Sequence, residues 1–375
     1  MSKSNTEDKW YIIDEIEKVD SPTLVIYPER VKSNIRLLKS MIDDSLRLRP
    51  HIKTHKTREV SRLLMEEGIQ KFKCATIAEA EMLGSCHAPD VLLAYQPVGP
   101  KLERFIKLVQ YYPDTLFSCL CDHPEAARHM SELAESHELV IPIYIDLNVG
   151  MNRTGISSEK EAFELSELCS HLPGLQFMGF HVYDGHLSIT DLNLRTKACN
   201  EGYSMVESLV ETLIEKGYPK PGIVAGGSLS FPIHAQRKDV ECSPGTFVYW
   251  DKGYQDLLPE QPFLPAAVLL SRVVSLLDEQ KFCLDLGYKA IAAENPLDHR
   301  VYFLNAPELK VVSQSEEHLV VEADTKHGWK IGDVLYALPI HICPTCALYE
   351  TVQVVSEGKV ADEWEVVARK RSIHI

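Results

Sequence analysis

Residues 71–121 read KFKCATIAEAEMLGSCHAPDVLLAYQPVGPKLERFIKLVQYYPDTLFSCLC, and this stretch decides the fold class. Three apolar runs of strand length, Lys71–Thr76, Asp90–Tyr95 and Thr115–Cys121, alternate with helical spacing over Ile77–Leu83 and Pro100–Tyr111. A parallel connection needs a crossover long enough to hold a helix, so this alternation predicts a parallel sheet with helices outside. The pattern extends both ways. Upstream lie Thr23–Tyr27 and Leu46–Lys53; downstream, Leu139–Leu147, Leu175–Val182, Gly222–Ser228 and Glu241–Val248 continue it. Eight strand–helix units close a barrel of about 250 residues. The nine strands counted here are one too many, and the first is the odd one out. The expected architecture is α/β, a (β/α)8 TIM-type barrel over 27–260, with segment 1–26 joining a second domain.

Past Pro262 the texture changes. Ala267–Leu277, Lys281–Asp285, Glu308–Val312, His318–Glu322, Asp333–Leu338, Glu350–Val355 and Trp364–Lys370 are short, β-branched and separated by turn residues. With helical periodicity nearly absent, 261–375 reads as a C-terminal all-β domain.

Composition narrows the function. The 375 residues are 45% hydrophobic and 25% charged, enough for a sizeable core. A net charge of −15 argues against an electrostatic grip on nucleic acid or an anionic membrane. No apolar run approaches the roughly 18 residues of a membrane span. The polar N-terminus shows no secretory pattern, so a cytoplasmic protein is expected. Ten cysteines without a tight framework then read mostly as free, buried thiols.

Five polar motifs fall at predicted strand ends, the active face of α/β barrels. Arg49–Lys56 (RPHIKTHK) packs two histidines, two lysines and an arginine into eight residues. A solvated basic strand end is the competing reading. A lysine whose pKa is lowered by burial and by neighbouring cations, here Arg49 and Lys56, suits covalent chemistry on carbonyls. Gly226, Gly227 and Ser228 offer close backbone approach and a hydroxyl to an anion, and are also compatible with an ordinary turn. The Ser243–Asp251 segment (SPGTFVYWD) follows at the next strand end. Arg153, inside Val149–Gly155 (VGMNRTG), suits a carboxylate or phenolic oxygen, or a surface ion pair. In His181–His186 (HVYDGH), alternation puts His181 and Tyr183 on one face, and His186 on the following loop is a candidate acid–base group.

Together with Pro339–Thr345 (PIHICPT), these motifs resemble the D-threonine aldolase and D-serine dehydratase family. These are fold-type III pyridoxal-phosphate enzymes with an alanine racemase-like barrel. The resemblance spans about residues 20–370 in the expected order. It implies that Lys53 holds pyridoxal 5'-phosphate covalently and that Arg153 approaches its phenolic oxygen. It implies that Gly226, Gly227 and Ser228 cradle the phosphate, with Thr246 and Tyr249 in support. It implies that Tyr183 lines the ring and that His186 lies beside the substrate. His341 and Cys343 match a divalent-metal pair, zinc or manganese, on or just after the strand Asp333–Leu338, where alternation would point both to one side. A homodimer with shared sites is implied. The implied activity is a metal-assisted lyase on D-3-hydroxy amino acids, aldolase-like, with D-serine dehydratase as the close alternative. An amino-acid racemase or a non-catalytic pyridoxal-phosphate protein follow as further alternatives. His-x-Cys does not choose between aldolase and dehydratase.

Overall fold

The structure, a computed structural model, describes residues 9–375. Seven strands form a parallel sheet in chain order: β2 (Lys71–Cys74), β3 (Asp90–Leu93), β4 (Leu116–Cys121), β5 (Ile141–Leu147), β6 (Leu175–Val182), β7 (Gly222–Ala225) and β8 (Val240–Cys242). Helices connect them, among them α1 (Ile77–Ser85), α2 (Pro100–Tyr111), α3 (Pro124–Ser136), α4 (Glu159–His171) and α5 (Leu192–Glu215). The α/β barrel reading holds, but its closing strand does not form as expected. Leu46–Lys53 is no continuous strand. It opens with a 3-10 turn at Ser45–Arg47, then bridges both sheet edges at single residues, Leu48 to Cys242 and His51 to Lys73. Arg49 N donates to Cys242 O at 2.8 Å, and Lys73 N donates to Pro50 O at 2.9 Å. Pro50 has no N–H to give a ladder, so closure uses isolated bonds around it.

Glu241–Val248 is likewise shorter than expected. β8 stops at Cys242, and Thr246–Val248 is a 3-10 turn, because Pro244 and Gly245 end the extended run. Gly245 is required there: a Cβ would lie 2.7 Å from His51 O. The barrel strands bury both faces, as β5 shows by burying all seven residues.

The other sheet contains β1 (Thr23–Ile26), β9 (Ala267–Leu276), β10 (Lys281–Leu284), β11 (Val301–Phe303), β12 (Lys310–Gln314), β13 (Leu319–Glu322), β14 (Val334–Pro339), β15 (Thr351–Ser356) and β16 (Lys359–Glu365). β1 pairs antiparallel with β9 and parallel with β15, so the first strand lies outside the barrel sheet. The chain divides into two compact units. One holds the described residues through Ile35, Thr54–Glu59 and Thr246–Arg369; the other holds Arg36–Lys53, Val60–Gly245 and Lys370–Ile375. All ten cysteines are free, and nine are buried. Among the described residues, no helix is long and apolar enough to cross a membrane.

Candidate active site

In the barrel unit, the half-buried Tyr183 ring gathers the expected cations. Lys53 Nζ lies 5.9 Å and the Arg153 guanidinium carbon 4.9 Å from its centroid. Tyr183 stands just past the C-terminal end of β6. Arg153 is carried by a pinned loop. Asn148 Oδ1 accepts from Gly150 N at 3.1 Å and Asn152 N at 3.0 Å, while Gly155 N donates to Asp122 Oδ2 at 3.0 Å. Gly227 packs close to the same tyrosine, since a Cβ there would meet its ring at 3.2 Å. His186 is exposed and folds over Gly150, whose Cβ would strike the imidazole at 2.7 Å.

A lysine that pattern reading missed completes this cluster. Lys73 Nζ lies 5.7 Å from the Tyr183 centroid and 3.4 Å from His181 Nε2. His181 Nδ1 pairs with Asp146 Oδ1 at 2.7 Å, and Thr154 Oγ1 donates to Asp146 Oδ2 at 2.7 Å. Burial, then the Lys53 charge, lowers the Lys73 pKa to about 7. Burial and Lys73 also lower that of His181; burial would raise the Asp146 carboxyl, but the His181 and Thr154 hydrogen bonds prevail and hold it below the usual carboxylate range. Arg49 serves elsewhere than expected. Its guanidinium bridges Asp90 in bidentate fashion at 2.6 and 2.8 Å, and Glu241 at 2.7 Å, clasping β3 to β8.

The Gly226–Ser228 loop follows β7. Gly226 adopts φ 73°, a conformation that suits glycine, and a Cβ there would lie 2.7 Å from Ser230 Oγ. Beneath the loop, Asp184 accepts from Ser230 Oγ at 2.6 Å and His234 Nε2 at 2.9 Å, with Cys199 Sγ at 3.5 Å. Asp184, Cys199 and His234 therefore have the residue types and spacing of a metal cluster. Their hydrogen bonds oppose that use. Arg237 Nη1 lies 3.2 Å from His234 Nδ1, and a guanidinium can only donate. Nδ1 is thus the acceptor, and Nε2 carries the proton that Asp184 receives. Burial and the Asp184 charge push the Cys199 thiol up to about 12, so it stays protonated.

His341 and Cys343 lie in the other unit, but not on a strand. β14 ends at Pro339, His341 is the N-cap of the one-turn helix Ile342–Cys346, and Cys343 lies within that turn. Strand alternation is therefore the wrong reason for their proximity; the turn brings the imidazole and thiol within hydrogen-bonding reach. His341 Nδ1 meets Glu294 Oε1 at 2.6 Å, leaving Nε2 for a ligand. Cys343 Sγ lies 3.2 Å from Thr54 Oγ1 and 3.8 Å from Thr246 Oγ1. Thr246 and Tyr249 belong to this unit, where Tyr249 is buried edge-on to His55, with ring centroids 6.5 Å apart. Asp251, fully buried, accepts from Ile342 N at 3.0 Å and Tyr254 N at 2.9 Å. Burial raises its carboxyl to about 6. Glu294 and Asp251 were also beyond pattern reading, being 47 and 91 residues from their partners.

These donors suit the implied groups. The barrel offers an amine, a guanidinium, an aromatic face and a glycine loop. Ser243 Oγ, just past β8, is buried with no hydrogen-bond partner among the described residues. A buried orphan hydroxyl at a strand end suits a polar ligand. At His341, a carboxylate on Nδ1 beside a half-buried thiol fits a divalent metal on Nε2.

Residues 26–252 match the family description "Alanine racemase, N-terminal domain", and 266–355 match "Putative serine dehydratase domain". The chain is 26% identical over 363 residues to a D-threonine aldolase of Arthrobacter sp, covering 95% of this chain and 94% of that one. It is 25% identical over 371 residues to a 3-hydroxy-D-aspartate aldolase of Paracoccus denitrificans (strain Pd 1222), with the same coverage. The crystal structure of D-threonine aldolase from Filomicrobium marinum superposes with a TM-score of 0.86 at 23% identity, covering 94% of this chain and 95% of that one.

Proposed function

Because the chain belongs to the alanine racemase N-terminal-domain family, we propose that it is a pyridoxal-phosphate-dependent lyase that cleaves D-3-hydroxy amino acids to glycine and an aldehyde. The observation that carries this reading is the convergence of Lys53 and Arg153 on the Tyr183 ring, beside Gly227. When bound, the cofactor supplies an electron sink for the pair released at the substrate Cα. Lys53 would hold its aldehyde carbon, Arg153 its phenolic oxygen, and the Gly226–Ser228 loop its phosphate. Tyr183 would support the ring face, with Thr246 and Tyr249 assigned as supporting contacts. His186 accepts the β-hydroxyl proton as the Cα–Cβ bond breaks. His341 and Cys343 would hold a divalent metal, which there supplies Lewis acidity toward that hydroxyl. Imidazole with thiolate favours zinc over manganese by softness.

Dehydration of D-serine is the second reading, favoured by the dehydratase-type match over 266–355, which contains the His341–Cys343 pair. There Lys53 takes the Cα proton and the hydroxyl leaves. D-threonine and D-serine, each with metal and after chelation, separate the two. Glycine plus acetaldehyde supports the aldolase; keto acid plus ammonia supports the dehydratase, and neither product rejects both. We further place the enzyme in the cytoplasm, in keeping with ten free thiols, and assign it as a homodimer with shared sites. Mixing Lys53→Ala and His341→Ala chains should restore part of the activity. Full inactivity despite subunit exchange rejects sharing.

A further inference from the structure

Lys73, the third residue of β2, takes no part in the reaction as assigned above, although it is only 2% exposed. An apolar side chain would pack there without the cost of burying an amine. Its partners are specific. Nζ lies 3.4 Å from His181 Nε2 and donates to the Gly226 carbonyl at 3.4 Å. Because ionised Asp146 accepts from His181 Nδ1, the imidazole Nε2 is left to accept from Lys73. The chain Asp146–His181–Lys73 thus ends on the first residue of the glycine loop. Three positive groups face Lys73: Lys53 and Arg49 on the 48–53 segment, and Arg153 across the Tyr183 ring. Two carboxylates oppose them, Asp146 on β5 and Asp184 just past β6.

We propose that Lys73 is a positioning and charge-balancing residue of the barrel site, which takes a proton from solvent when an aromatic phosphate ester binds and returns it when the ester leaves. This rests on the reading of the barrel as a pyridoxal-phosphate site. Before binding, burial and Lys53 hold the amine near its midpoint at neutral pH. Bringing a phosphate dianion to the Gly226 loop favours the ammonium form and thereby raises its pKa. By linkage, affinity then falls as pH rises above neutrality, by up to about tenfold per pH unit while one proton is taken up.

The test uses the full-length apoprotein and 4-deoxypyridoxine 5'-phosphate, a ring phosphate without the aldehyde, so that covalent chemistry at Lys53 is silent. Calorimetry at pH 8 in two buffers of different ionisation heat measures the protons taken up. Wild type should take up more than Lys73→Met, which should also bind about tenfold more weakly. Lys73→Arg, charged at every pH, should bind with no uptake from this position and decides the matter should Lys73→Met not fold. With phosphate-free 4-deoxypyridoxine, the difference between wild type and variants should vanish. Equal uptake by wild type and variants overturns the Lys73 assignment alone. Failure of the wild type to bind the ring phosphate overturns the cofactor reading with it.

Discussion

Two clusters in this molecule contain a histidine, a cysteine and a carboxylate, and their hydrogen bonds give them opposite chemistry. At His341, the carboxylate of Glu294 meets Nδ1 and the thiol of Cys343 is half-buried. At His234, Asp184 meets Nε2, Arg237 occupies Nδ1 and the thiol of Cys199 is buried. A metal-binding histidine gives its second N–H to an acceptor, as His341 can. His234 meets a donor there, so its ring passes a hydrogen bond from Arg237 to Asp184 instead. Residue type and spacing alone would choose the buried cluster; the tautomer chooses the exposed one.

Breaking the two clusters should therefore give different phenotypes. His341→Ala, or chelation, should lower turnover on the order of 100-fold to 1,000-fold with the fold intact. Metal added back should restore the chelated wild type but not the variant, and full activity in protein shown to be metal-free would return the racemase to contention. Asp184→Asn should leave metal content unchanged and destabilise the fold by about 3 kcal/mol, read by denaturant unfolding. The pH dependence adds a sign. Burial would raise the Asp184 carboxyl, but hydrogen bonds from His234 and Ser230 prevail and hold it below its ordinary value of 3.8. Its stabilisation is present above that value and lost as pH falls through the lower folded one, so the wild-type advantage over Asp184→Asn should shrink in acid.

Smaller effects sharpen the contrast. Glu294→Gln should weaken metal affinity about tenfold, measured by competition with a chromophoric chelator. Cys346→Ala should change it less than about twofold, against a large loss for Cys343→Ala. Cys346 is fully buried, its thiol is pushed up to about 12, and it faces His55 O at 3.5 Å.

What could be read from sequence follows the range of the interactions. Strand–helix alternation is local, and it identified the barrel sheet through Lys71–Cys121. The closing segment reads as a strand from sequence because hydrophobic pattern does not register the break Pro50 makes in a ladder. The RPHIKTHK and VGMNRTG motifs name the cations Lys53 and Arg153, but only the fold shows that the two share the Tyr183 ring. Lys73 sits in KFKC, where Lys71 and Lys73 alternate with apolar residues as in any half-exposed strand. Only barrel closure reveals that Lys73 is buried while Lys71 pairs with Glu241 near the surface. His341 and Cys343 stood in a recognisable motif, yet the one-turn helix that joins them is too short for periodicity to reveal.

The assignment of Lys53 as the residue that holds pyridoxal phosphate is tested most directly by borohydride reduction of the holoenzyme followed by peptide mapping. One cofactor-derived label per chain is expected, on Lys53, with its loss in Lys53→Ala without loss of fold. A label on Lys56, Lys73 or Lys289, or no label on protein saturated with the cofactor, would contradict it.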